Sequence, residues 1–143
     1  MKEQTVLRIR EFNRFYMPAF DLLGNSYLGS EYSAAEARVL YEIYTHEGCL
    51  ASDISKTLHI DKSYLSRTIK HHEKQGYLTR TPSKVDSRAY ELSLTEQGRE
   101  RTEDFIRKSN AQIGEKIGAL NPDECRRLME AFDTITELLG GKA

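Results

Sequence analysis

The chain has 143 residues, 38% hydrophobic and 30% charged, with a formal net charge of −1. That length suits one core, or a small domain with helical extensions, and charges cut every apolar run short of the roughly 18–20 residues a membrane-spanning helix needs. With two distant cysteines, Cys49 and Cys125, neither a disulfide framework nor a paired metal knuckle is available, so a reducing cytoplasm is expected.

The N-terminus carries Arg8, Arg10 and Glu11 and no apolar run of the secretory kind, so no leader is expected. From Lys2 to about Leu23, the apolar residues Val6, Ile9, Phe12, Tyr16, Phe20 and Leu23 recur at three- and four-residue steps. This predicts a long amphipathic helix, bent at Pro18 and ended by Gly24, Asn25 and Ser26. A second helix starts at Ser33, whose spacing to Glu36 is that of a capping box, and stops at Gly48. Ala51–Leu58 and Asp61–Gln75 then read as two helices separated by a tight break at His59 and Ile60. Asp61 caps the second and Gly76 stops it, which predicts a helix-turn-helix.

The period next changes from 3.6 to 2. Tyr90 to Thr95 alternates strictly, and Tyr77 to Thr81 can pair with it across the turn-rich segment Pro82 to Arg88. That predicts a β-hairpin, a wing following the helix-turn-helix. Thr95 caps a long helix to about Leu120, striped by Phe105, Ile106, Ile113 and Ile117. Gly114 and Gly118 weaken it by roughly 1 kcal/mol each, a cost that close backbone approach to another helix, or fraying, would explain. Asn121, Pro122 and Glu124 start the last helix, which carries Leu128, Met129, Phe132, Ile135 and Leu139.

Charge is not spread evenly. Residues 48–95 hold eight Lys/Arg against five Asp/Glu, whereas the remainder holds 13 against 17. A basic middle on an acidic scaffold is an electrostatic footprint for nucleic acid. With Leu65 and Ile69 inward, the opposite face of the helix after Asp61 carries Lys62, Ser63, Ser66, Arg67 and Lys70, with Tyr64 at its edge. Arg67 suits two bonds to guanine, Ser63 and Ser66 suit phosphate or base, and Lys70 and Lys74 suit phosphates. The long terminal helices have more apolar surface than one small domain can cover. Pairing with a second copy would bury it, and would set two recognition helices about one DNA turn, roughly 34 Å, apart on a pseudo-palindromic operator.

The run from Leu50 to Arg67 resembles the helix-turn-helix of the MarR family of transcription regulators. The run from Asp86 through Arg88, Leu94 and Thr95 to Gly98 is similar to that family's wing signature, D-x-R-x(5)-L-T-x-x-G. The likeness extends over essentially the whole chain. It implies a mainly α fold with a small β-hairpin wing: a winged helix-turn-helix lobe at 33–95, with dimerisation helices at 1–32 and 96–143 of one MarR-type domain. It further implies that the helix from Lys62 to Gln75 enters the major groove and that Arg88 enters the minor groove. Narrow A·T-rich grooves, where negative potential concentrates, favour an arginine there. Asp86 is expected to hold Arg88 by a charge-assisted bond, with Lys84 and Arg80 adding backbone contacts. Ile9–Tyr16, Glu36–Tyr41 and Tyr64–Arg67 also look like the MarR half of MarR–acetyltransferase fusions; with the sequence ending at Ala143, acetyl transfer is not expected.

The resemblance implies a repressor relieved by a small phenolic or anionic effector. Tyr16, Tyr27, Tyr32, Tyr41 and Tyr44 are either walls for such a ligand or core residues. Cys49 and Cys125 suit structural roles better than sensing, since peroxide-sensing relatives carry their thiol in the first helix and this one has none. His46, His59, His71 and His72 lack metal-ligand spacing. His72 occupies a usually apolar position, as a core histidine or a pH-sensitive seam. No enzyme activity, cofactor, metal or membrane partner is expected. The alternatives to a DNA-binding regulator are a winged-helix protein-interaction adaptor and a non-catalytic partner of a separate acetyltransferase.

Overall fold

Most helices begin where the sequence supplies a side-chain cap. In the computed structural model, which describes residues 2–140, Ser33 and Glu36 close a reciprocal capping box before α2 (Ala34–Thr45). Asp61 accepts from the amides of Ser63 and Tyr64 to start α4 (Lys62–Lys74), and Asn121 caps α6 (Pro122–Leu139). Thr95 Oγ1 accepts from the Gly98 amide at the start of α5 (Glu96–Ile117). Helix α3 (Ala51–Leu58) ends at His59, whose left-handed conformation (φ 53°) makes the sharp turn into α4.

Helix α1 (Glu3–Ala19) is shorter than the sequence pattern predicts. Pro18 does not bend a helix that continues to Leu23. The chain turns instead, with Asp21 at φ 55° and the Leu22 amide donating to the Met17 carbonyl. Pro18 cannot donate to the Arg14 carbonyl and its ring crowds that carbonyl, which weakens the last turn, and the helix ends one residue beyond the proline.

The wing is the predicted hairpin, β2 (Leu78–Pro82) paired antiparallel with β3 (Tyr90–Leu94), Arg80 opposite Leu92 and Pro82 opposite Tyr90. A two-residue strand absent from the sequence reading, β1 (Cys49–Leu50), pairs on the other side of β3, giving the order β1-β3-β2.

The chain forms two compact units, Met1–Ser109 and Asn110–Ala143. In the first, Val39 and Ile43 of α2, Ile54 of α3, Leu65 and Ile69 of α4, and Leu78 and Leu92 of the sheet make one buried cluster. Each such side chain contributes about 1.5–3 kcal/mol through removal from water. Tyr32, Ala37, Leu40 and Phe105 make a second cluster beside it. The start of α5 is stitched to the end of α4: Thr95 Oγ1 donates to the Gly76 carbonyl at 2.6 Å, and the Thr95 amide donates to the Tyr77 carbonyl at 3.0 Å. The second unit contains the end of α5 and α6. At Gly114 nothing lies within 4 Å of the place a β-carbon would take, so the described chain offers no close helix approach there.

Candidate nucleic-acid interface

Helix α4 buries Leu65, Thr68, Ile69 and His72, a three- and four-residue rhythm that fixes which side faces water. Lys62, Ser63, Ser66, Arg67 and Lys70 are all exposed on the other side, the face expected from sequence. Tyr64 is half-buried, its hydroxyl 3.3 Å from Ser33 Oγ, the residue that caps α2. It therefore ties the N-terminal turn of α4 to the start of α2 as well as bordering the exposed face.

The wing loop is shaped by side-chain-to-backbone bonds. Ser83 Oγ accepts from the amides of Val85 and Asp86, and Asp86 Oδ1 accepts from the Arg88 amide at 3.0 Å. The Arg88 guanidinium is 4.0 Å from the same carboxylate oxygen and 94% exposed. Asp86 thus holds Arg88 through a charge-assisted bond to its backbone amide, as the sequence suggested, with the exposed guanidinium in a looser ion pair at 4.0 Å. Lys84 is exposed nearby. A cleft of about 420 Å³ separates the wing from the helix-turn-helix, with Lys62, Ser66, Arg80, Arg88 and Tyr90 on its walls.

Arg80 also differs from its sequence expectation. Its Nε and Nη2 donate to Glu73 Oε2 and Oε1 at 3.1 and 3.0 Å, and its guanidinium lies 5.3 Å from the Tyr90 ring centre. The cation is engaged within the protein. Glu73 carried no functional assignment from sequence, because its partner lies seven residues away across a helix-to-strand turn.

His72 is fully buried, and its Nε2 donates to the Glu36 carbonyl at 2.9 Å. Since a carbonyl only accepts, this fixes the proton on Nε2, and Nδ1 has no hydrogen-bond partner. Burial holds the imidazole below its ordinary range, with His71 adding to the effect and the Glu36 carbonyl opposing it. Tyr32 packs on it at 5.2 Å in the core, and burial pushes the Tyr32 phenol up to about 12. Burial, with the charge of Asp53, pushes the Cys49 thiol up to about 11. Tyr44 donates to Glu103 of α5 at 3.1 Å.

Both units leave large apolar side chains in water. On α1 these are Leu7, Ile9, Phe12 and Phe15, the last 69% exposed. On α6 they are Met129, Ile135, Leu138 and Leu139, with Leu138 at 73%. Among the described residues no helix is long and apolar enough to cross a membrane.

Residues 31–89 match a family model described as MarR family. The chain is similar to the organic hydroperoxide resistance transcriptional regulator of Bacillus subtilis (strain 168), 28% identical over 133 residues, which cover 93% of this chain and 84% of that one. It is similar to the HTH-type transcriptional regulator BilQ of Clostridioides difficile (strain CD3), 32% identical over 71 residues and 48% of each chain. Similarity to the HTH-type transcriptional regulator PapX of Escherichia coli is 33% over 92 residues, 64% of this chain and 54% of that one. The chain thus spans about half the length of the last two. Among solved structures, a mutant MarR from E. coli complexed with operator DNA aligns at TM-score 0.76 and 22% identity, covering 92% of this chain and 95% of that one. Streptococcus pneumoniae FabT in complex with DNA aligns at 0.72 and 20%, covering 96% and 94%. At these identities the likeness establishes the winged-helix fold.

Proposed function

We propose that this chain is a MarR-family winged-helix transcription regulator, a reading the family match over residues 31–89 and the curated relatives support, and that it acts as a cytoplasmic homodimeric repressor reading a pseudo-palindromic operator. One observation carries the reading. The exposed face of α4 gathers Lys62, Ser63, Ser66, Arg67 and Lys70, and the wing beside it presents Arg88 with its guanidinium almost fully exposed and only loosely paired to Asp86. The first set suits a major groove, with Arg67 donating to guanine O6 and N7 and Lys70 to phosphate. The second suits a narrow minor groove. Lys84 adds a phosphate contact, Tyr64 positions the N-terminal turn of α4, and Asp86 shapes the loop that carries Arg88. The uncovered apolar side chains of α1 and α6 supply the surface for a second copy. A small phenolic or anionic ligand relieves repression.

Selection from a randomised duplex pool, followed by fluorescence anisotropy across a salt series, tests this. A pseudo-palindrome bound in the nanomolar range, with log K falling steeply against log salt, is the expected result. Weak, unselective binding at every salt would overturn it in favour of a protein-interaction adaptor.

A further inference from the structure

The Arg80 guanidinium is gripped from two directions by groups on different elements. Glu73, in the last turn of α4, takes both Nε and Nη2 in a fork geometry. Tyr90, the first residue of β3, lies against the cation with its ring 5.3 Å away. Arg80 itself is on β2. One side chain therefore joins the end of the recognition helix to both strands of the wing. Two parallel N–H···O bonds to a carboxylate fix a guanidinium in orientation as well as distance, and an aromatic face adds a second constraint. Among the described residues, the side-chain bonds at the wing tip run within the loop, from Ser83 and Asp86 to neighbouring amides.

We propose that Glu73, Arg80 and Tyr90 form a strut that sets the angle between the recognition helix and the wing, and so determines DNA specificity without touching DNA. The inference rests on the DNA-reading function proposed above. Arg67 and Arg88 sit on the two arms that the strut joins, and a duplex fixes the path between adjacent major and minor grooves. Holding the angle in the free protein lets both arms engage one half-site together. The same bond keeps a cation off the phosphates. Releasing Arg80 would add a sequence-independent contact while loosening the sequence-dependent one, so specific and non-specific binding should move in opposite directions.

The test uses the full chain and the duplex selected by the unaltered protein. Glu73→Gln keeps the shape and removes the charge, and Arg80→Lys keeps the charge and removes the fork. Both are expected to lower the ratio of specific to scrambled-duplex affinity about 5- to 10-fold. In Glu73→Gln the salt slope for scrambled duplex should rise by about one. Hydroxyl-radical footprints should lose the minor-groove protection and keep the major-groove protection, and trypsin should cut faster after Lys84 and Arg88 without DNA. The exchange Glu73→Arg with Arg80→Glu should restore the trypsin resistance. Unchanged specificity and footprint in folded Glu73→Gln would overturn the strut. So would equal loss of both protections, which marks a general loss of structure. If the unaltered protein selects no duplex, the DNA-reading function fails first, and the strut's role in specificity fails with it.

Discussion

The carbonyl oxygen of Tyr77 occupies the place a β-carbon on Gly98 would need: the two would be 1.8 Å apart. Gly98 is buried one turn into α5, and the same carbonyl accepts the Thr95 amide. The closeness of the α5 start to Tyr77, three residues beyond the end of α4, thus depends on a missing side chain. Gly98→Ala must push backbone against backbone. A loss of about 2–3 kcal/mol is expected, on the scale of an overpacked core, seen as a melting temperature lower by several degrees. A melting temperature within a degree of the parent would show that α5 can move away freely.

Asp86 and Arg88 make a sharper test of the wing than either residue alone. Arg88→Ala should weaken binding to the selected duplex by about 1–3 kcal/mol with the fold intact. Asp86→Asn retains an oxygen for the Arg88 amide and removes a negative charge near phosphates, so affinity should hold or rise. Asp86→Ala removes the acceptor and should weaken binding. Equal losses for the asparagine and alanine variants, measured by anisotropy, would make the ion pair with the guanidinium, rather than the amide bond, the important contact.

His72 makes stability depend on pH in a definite direction. Its native affinity for a proton lies below the ordinary value of 6.5, so below that pH the unfolded chain binds more protons. Its stabilising contribution is complete above about pH 6.5 and declines as the pH falls toward the native value, by at most about 1.4 kcal/mol per pH unit. His72→Gln, which can still donate to the Glu36 carbonyl, should flatten the fall in denaturation midpoint between pH 7 and 5. An unchanged profile would assign the acid sensitivity to other groups.

Cys49 should be inert. A thiol pushed up to about 11 is ionised on the order of one part in ten thousand at pH 7, and only the thiolate attacks peroxides and alkylating agents. The expected result is slow labelling of Cys49 in the native chain, rising on denaturation, with duplex binding of a Cys125→Ser variant unaffected by an organic hydroperoxide. Rapid native labelling at neutral pH would contradict the burial.

The sequence made the caps legible because Ser33, Asp61, Thr95 and Asn121 act over three or four residues, within reach of local spacing. The wing was legible for the same reason, through its change of period. Strand β1 was not: two residues have no periodicity, and Cys49 and Leu50 become a strand only because β3 offers a free side. The exposed face of α4 followed from Leu65 and Ile69 alone. What Arg80 does there could not follow, since Glu73 and Tyr90 meet it only after the helix-to-strand turn and the hairpin have formed. Asp86 and Arg88 show a third case. Their spacing marked a real relationship, but it could not say that the carboxylate takes the Arg88 amide closely, at 3.0 Å, and its guanidinium only loosely, at 4.0 Å.

Strand order has a last consequence. With β3 in the middle, β2 keeps one flank open to water. Such flanks recruit stray strands and seed aggregation unless something blunts them. Here Pro82 contributes no amide at the wing end, and the strand is only five residues long. That side of the sheet is self-terminating, which disfavours edge-to-edge association between neighbouring molecules.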